Sequence, residues 1–182
     1  MKSAIGVAGC VLVSLVSAGC VSISPEVEPP AKIPRTVRYD SVAVSGMPFR
    51  GDLQSSLTEA LVDYGVTQNI RPGASVRIEG VVLKSDYDSS GGQIAWNVVN
   101  SVLLMFMLGG PYVGATQASF ELQVFDGDKL IETHRGNGRA YWTAVYALGH
   151  NIPEGRKQAI YRAELLALWD AVKGLAGSSE DE

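Results

Sequence analysis

Apolar and polar side chains follow a helical period in two stretches of the chain. From Phe49 to Tyr64, apolar residues recur every three or four positions with acidic residues between them, which predicts an amphipathic helix ending at Gly65. A second helix is predicted to begin at Asn151, because Asn151 and Glu154 match a capping box. Its apolar stripe consists of Tyr161, Leu165, Leu168, Val172 and Leu175. Each helix has one apolar face, so each is expected to pack on a sheet.

Other stretches alternate with a period of two and predict strands. They cover residues 37–44, 76–83, 120–124, 129–133 and 139–145. A Pro-Gly pair at 72–73 predicts a turn, and an Asp-Gly-Asp run at 126–128 predicts the turn of a hairpin. Gly136 and Gly138 predict a bend or bulge between the last two strands. This order of elements predicts an α+β fold, a two-layer sandwich whose mostly antiparallel sheet carries both helices on one face.

Residues 89 to 120 contain no charged side chain. Within them, residues 93–113 are predicted to form an apolar insertion, either a hairpin or a helix from about Gln93 to Leu108. Such a helix would have a narrow polar stripe on an apolar cylinder, formed by Gln93, Asn97, Asn100, Ser101 and Leu104. A membrane span needs about 20 apolar residues, so a span here would have to continue through the Gly-Gly-Pro run at 109–111.

The insertion has four possible environments: a membrane span, a helix lying in the membrane surface, contact with a partner protein or a second copy of the chain, and the protein core. In all four the segment is buried by something. The candidate contact residues are its large apolar and aromatic side chains, Trp96, Leu103, Leu104, Phe106, Met107 and Tyr112. In the membrane-surface interpretation, Trp96 and Tyr112 would lie near the lipid headgroups.

The first twenty residues differ in composition from the rest. Met1-Lys2 precedes an apolar run from Ala4 to Val16, and small residues precede Cys20. This arrangement resembles the signal peptides of bacterial lipoproteins. The resemblance implies that residues 1–19 are removed, that the thiol and the new amino group of Cys20 are acylated, and that these acyl chains enter a membrane. In enteric bacteria an Asp after this cysteine retains a lipoprotein in the inner membrane, so Val21 implies the periplasmic face of the outer membrane.

Composition predicts the remaining boundaries. Residues 20–37 contain the acylated cysteine and four prolines, which predicts an extended tether of some tens of ångströms. Residues 38–177 are predicted to form one domain that includes the insertion. Residues 178–182 are predicted to be a mobile acidic tail.

Charge and residue types limit the chemistry expected of the chain. The net charge is −4 and the basic residues are not clustered, which argues against nucleic acid as a partner. With Cys10 removed and Cys20 acylated, no thiol would remain for a disulfide, a thiolate metal site or a nucleophile. His134 and His150 match no zinc-binding or hydrolase motif. We therefore predict no catalytic residue, no metal site and no cofactor.

The whole arrangement resembles small bacterial envelope lipoproteins with a two-layer α/β domain, some of which are accessory components of transport or surface-assembly machines. The specific part of this resemblance is the sequence box at Cys20. The function predicted from the whole arrangement is that of a lipid-anchored, periplasm-facing, non-enzymatic accessory protein. It would bind another envelope component, either a protein partner or a second copy of itself. The alternative is a carrier or sensor of a lipid or other apolar ligand, in which the insertion covers a cavity between helices and sheet.

Overall fold

The computed structural model of the protein describes residues 22–24, 37–45, 51–88, 91–104, 112–144 and 152–177. Its strands are β1 (Ser22–Ser24), β2 (Tyr39–Ser45), β3 (Thr67–Ile70), β4 (Val76–Asp88), β5 (Tyr112–Asp126) and β6 (Lys129–Ala144). Its helices are α1 (Gly51–Asp63), α2 (Gly91–Leu104) and α3 (Ile152–Gly177).

The six strands form one sheet in the order β1-β6-β5-β4-β2-β3. The pairs β1–β6, β6–β5 and β5–β4 are antiparallel, whereas β2 pairs in parallel with both β4 and β3. The predicted α+β class and mostly antiparallel sheet are therefore confirmed. The parallel pairing of β2 was not predicted, since a strand's periodicity carries no information about its partner's direction.

Helices α1 and α3 pack on the same face of the sheet and share one core with it. Alternate residues of β5 point into this core, and all are buried: Thr116, Ala118, Phe120, Leu122 and Val124. The Thr116 hydroxyl lies 2.9 Å from the Ala159 carbonyl oxygen and 3.3 Å from that of Ala140. It therefore joins the first turns of α3 to the centre of the sheet, and the predicted packing of both helices on one face is confirmed.

Helix α1 ends at the predicted glycine in a Schellman motif. Gly65 has a φ of 69°, and its N–H donates to the Val62 carbonyl at 3.0 Å. The Val66 N–H donates to the Leu61 carbonyl at 2.9 Å, and both of these side chains are fully buried. This cap turns the chain directly into β3, a short strand that was not predicted because its Thr-Gln-Asn-Ile sequence has little apolar alternation.

Strand β6 is one continuous strand of 16 residues, so the predicted bend or bulge at its glycines is wrong. A Cβ at Gly136 would lie 2.0 Å from the Ala167 carbonyl oxygen, and one at Gly138 would lie 2.0 Å from that of Ala163. Both glycines are therefore required by the close approach of the α3 backbone to β6. The register shift lies instead at Val124/Phe125, near the predicted hairpin turn, where Gly127 has a φ of 60°.

Strand β1 belongs to the region predicted to be a tether. It pairs with the far end of β6, with Ser22 opposite Thr143 and Ser24 opposite Tyr141. The sheet thus includes residues that lie only two to four positions after Cys20. The predicted signal peptide, Cys20, residues 25–36, Asn151 and the predicted acidic tail lie outside the described residues.

Candidate functional site on helix α2

Helix α2 lies where β5 extends beyond the end of β4. The last β4–β5 pair joins Asp88 and Ala115, so Val113 has no partner in β4. The side-chain amide of Asn97 occupies this position: its Nδ2 donates to the Val113 carbonyl at 2.9 Å, and its Oδ1 accepts from the Val113 N–H at 3.2 Å. Asn97 thereby supplies the two hydrogen bonds that a further residue of β4 would make.

A second polar contact joins the helix to the first residue of β5. The Ser101 hydroxyl lies 2.9 Å from the Tyr112 hydroxyl and donates to the Asn97 carbonyl at 2.8 Å. Asn100, in the same polar stripe, is completely buried. Within the predicted polar stripe, Asn97 and Ser101 thus bond to β5 and Asn100 is buried, while Ser101 itself stays exposed.

The opposite side of α2 is apolar and points away from the protein. Its large side chains keep about half of their area exposed: Ile94 52%, Trp96 45%, Val98 58%, Val99 50% and Val102 53%. These five residues are called the outer face of α2. An amphipathic surface helix normally buries its apolar side, so α2 has the reverse orientation. The interpretation that the insertion packs into the core does not hold for these residues, and contiguous apolar surface of this kind usually marks a contact.

The predicted contact residues fall in different places. Trp96 belongs to the outer face, whereas Tyr112 is half-buried and hydrogen-bonded to Ser101. Leu103 and Leu104 are the last two residues of α2. Phe106 and Met107 lie outside the described residues.

Four members of the outer face were missed by the sequence prediction, namely Ile94, Val98, Val99 and Val102. The signal was available for Val98, Val99 and Val102, because at about 100° per residue they lie on the side of the helix away from the polar stripe, whereas Ile94 lies at the edge of the stripe. What periodicity could not tell was which side the domain buries.

A transverse line of residues joins α2 to the start of the chain. Ser22 pairs with Thr143, Thr143 pairs with Val113, and Val113 is bonded to Asn97. At about 4.8 Å between neighbouring strands, β1 lies about 10 Å from β5. Cys20 precedes Ser22 by two residues, a reach of at most about 7 Å. Ser22, the first residue of β1, and α2 therefore belong to the same end of the sheet.

Aromatic packing stabilises the end of the sheet that carries α2. A Cβ at Gly114 would lie 2.4 Å from Nε1 of Trp142, so the indole rests directly on the β5 backbone. The Tyr87 ring lies 6.4 Å from the Trp142 ring, and the Arg156 guanidinium lies 4.7 Å from the centre of the Tyr87 ring. Strands β4, β5 and β6 and helix α3 are thus joined beside α2.

The one histidine that the structure describes belongs to a polar cluster beside the C-terminal end of α3. This residue is His134. The His134 Nε2 atom lies 2.9 Å from Oε2 of Glu132, and Oε1 of Glu132 accepts a hydrogen bond from Arg38. Arg38 also donates to the Leu175 carbonyl at 2.7 Å, which places its charge at the negative end of the helix dipole. The cluster therefore has a clear role in closing the end of α3. Within the described ranges, no three His, Cys, Asp or Glu residues are grouped as metal ligands.

Two surface grooves lie away from α2. One, of about 480 Å³, runs between α1 and α3 and is lined by residues that include Glu59, Arg162 and Trp169. The other, of about 270 Å³, is lined by residues of β4, β5 and β6 that include Lys84, Gln117 and Arg139. No residue of α2 lines either groove. Neither has the arrangement required by the carrier hypothesis, in which the insertion covers the cavity.

None of the described helices has the length and apolar character of a membrane span.

No family model and no curated protein sequence matches the chain significantly. Among solved structures, a minor lipoprotein from Acinetobacter baumannii is similar over 77% of this chain and 90% of its own, with 13% identity and a TM-score of 0.47. A Xanthomonas campestris protein of the family DUF330 is similar over 82% of this chain and 89% of its own, with 10% identity and a TM-score of 0.46. The PelC dodecamer from Paraburkholderia phytofirmans is similar over 85% of this chain and 97% of its own, with 14% identity and a TM-score of 0.39. At these values no residue role is transferred to this chain.

Proposed function

We propose that this chain is a lipid-anchored accessory protein of the bacterial envelope that binds another envelope component through the outer face of α2 and performs no catalysis. The observation that carries the proposal is the reversed orientation of α2. Asn97 and Ser101 bond α2 to the domain, and the outer face keeps about half of its side-chain area exposed for a second contact.

Polar side chains bond α2 to the domain from the side away from the outer face. The Asn97 amide and the Ser101 hydroxyl supply specific bonds to β5. Exposed apolar area is unfavourable in water by about 25 cal/mol per Å², so five such side chains on one short helix disfavour the isolated protein. Burial of this face by another component would remove that cost.

The anchor part of the proposal rests on the lipoprotein-like sequence ending at Cys20. Placement on the periplasmic face of the outer membrane follows from Val21 by the sorting rule of enteric bacteria. The two grooves described above lie away from α2 and give the carrier alternative no support of their own.

Site-specific photo-crosslinking in the intact envelope tests the proposal. A photoreactive residue replaces Val98 in the full chain, and a matched control replaces Val62, a valine on α1 that is also exposed, at 44%. We expect an adduct with a lipid or a protein from position 98 and much less from position 62. Equal labelling at the two positions, or none at position 98, would contradict the proposed contact.

A further inference from the structure

We propose that the component bound by the outer face of α2 is the lipid surface of the same membrane that holds the acyl chains on Cys20. This inference rests on the proposed function and names its partner. It assigns two attachments to one bilayer, the covalent lipid and the helix.

The chain between Cys20, the proposed acylation site, and the sheet is short. Only Val21 lies between Cys20 and Ser22, which is already paired with Thr143. A chain of this length reaches at most about 7 Å. While β1 is paired, the acyl chains can enter only a bilayer that lies against this end of the sheet. That end also carries α2, through the line from Thr143 to Val113 and Asn97.

The side chains of the surface that would meet the bilayer also favour a lipid partner. Residues 89 to 120 carry no charge, so α2 would bring no charged side chain into contact with hydrocarbon. Two aromatic residues at this end are half exposed, Trp96 on α2 and Tyr141 on β6 opposite Ser24. Such side chains favour the membrane interface because one end of the ring is polar.

The shape of the outer face also suits a lipid surface. The outer face extends along α2 from Ile94 to Val102, about 12 Å at 1.5 Å per residue. It is convex, since it is the outside of a single helix attached to the end of a strand by its polar side. A helix lying in the plane of the interface buries this type of surface without a complementary groove.

Fluorescence of Trp96 tests the assignment directly. The acylated protein is reconstituted into phosphatidylethanolamine–phosphatidylglycerol vesicles with and without bromine on the lipid acyl chains. The chain has three tryptophans, of which Trp142 is buried and Trp169 lies beside the groove between α1 and α3. The variant Trp96→Phe gives their background emission. We expect brominated lipid to reduce the Trp96 contribution at least twofold and to leave the Trp96→Phe emission nearly unchanged.

A charge on the outer face provides the second measurement. The double variant Val98→Asp/Val102→Asp is expected to abolish most of the quenching of Trp96, because burial of the carboxylates in the interface is unfavourable. Val62→Asp on α1 is the matched control and should retain the quenching. Far-ultraviolet circular dichroism of each variant verifies that the domain is folded.

The outcomes separate this inference from the proposed function. Absence of quenching together with a Val98 photo-adduct to a protein, whether another envelope protein or a second copy of the chain, overturns the lipid assignment and leaves the proposed contact standing. Absence of both overturns both. Quenching that depends on the outer face, together with a lipid adduct at position 98, supports both.

Discussion

The side-chain amide of Asn97 pairs with both backbone groups of Val113, at 2.9 Å and 3.2 Å, and so continues the β4 edge of the sheet two residues beyond its last pair, Asp88–Ala115. This pairing explains how a helix with an apolar outside remains attached to the domain. Its attachment includes directed bonds from Asn97 and Ser101 to β5. The position of α2 should therefore be sensitive to the loss of a single amide.

Replacing Asn97 by Leu is expected to release α2. Both backbone groups of Val113 lose their partner, which lowers the free energy of unfolding by about 1–2 kcal/mol. The more specific effect is faster cleavage of residues 91–104 in limited proteolysis followed by mass spectrometry. Ser101→Ala, which removes one exposed bond to β5 and one within the helix, should change cleavage much less. Similar cleavage in both variants would show that the Asn97–Val113 pair does not hold the helix.

Adding a methyl group at Gly136 or Gly138 is expected to disrupt the packing of α3 on β6. The new Cβ would meet a backbone carbonyl oxygen at 2.0 Å, and backbone cannot rotate away as a side chain can. We expect either Gly→Ala variant to lose about 3 kcal/mol or more in urea unfolding. Gly177→Ala is the control, since nothing lies within 4 Å of its Cβ position, and it should change stability by less than about 0.5 kcal/mol.

Glu121 should contribute stability that depends on pH. Hydrogen bonds from Gln123 and Arg135 lower the pKa of its carboxyl below the usual 4.5. The folded protein therefore binds this proton less readily than the unfolded chain, so the contribution is present above pH 4.5 and is lost as pH falls through the folded-state pKa.

Urea unfolding of Glu121→Gln measures this contribution. The variant should be less stable than the natural protein at pH 7, by less than about 1 kcal/mol because Arg135 is exposed. The difference should shrink as the pH is lowered below 4.5. A difference that stays constant with pH would mean that the carboxylate charge has no part in it.

Tyr64 carries a buried hydroxyl for which the described part of the chain offers no hydrogen-bond partner. Burial raises its pKa to about 12. Tyr64→Phe removes the unpaired group and should leave stability at neutral pH unchanged or raise it by up to about 1 kcal/mol.

The effect of Tyr64 should grow in alkali. The unfolded tyrosine ionises near its usual pKa of 10.0, whereas the folded one stays neutral until about 12. The natural protein therefore loses stability as pH rises from 10 towards 12, and Tyr64→Phe avoids that loss. Unfolding curves for both proteins at neutral pH and near pH 11 test this, and a gap that narrows in alkali would contradict it.

Local patterns predicted the elements whose cause is local. The period of α1, the αL glycine at Gly65 and the hairpin turn near Gly127 each depend on neighbouring residues, and each is confirmed. The α3 stripe was predicted for the same reason, and Leu168, Val172 and Leu175 are fully buried.

Errors arose where the cause lies far away in the sequence. Gly136 and Gly138 were interpreted as a bend, but they are explained by alanines on α3 about thirty residues later. For α2, the sequence predicted two faces correctly and could not assign which of them meets the domain. That choice depends on Val113, whose backbone groups lack a β4 partner only because β4 ends at Asp88.

If Cys20 is acylated as proposed, the pairing of β1 with β6 also sets how far the domain can move from that anchor. With Ser22 to Ser24 in the sheet, the chain from Cys20 allows a separation of about 7 Å. If these three residues detached, the chain from Cys20 to Tyr39 could extend to about 60 Å. The shortest described strand, β1, would then control the distance between the domain and the bilayer. Its release would free the orientation of the domain and let it reach partners farther from Cys20.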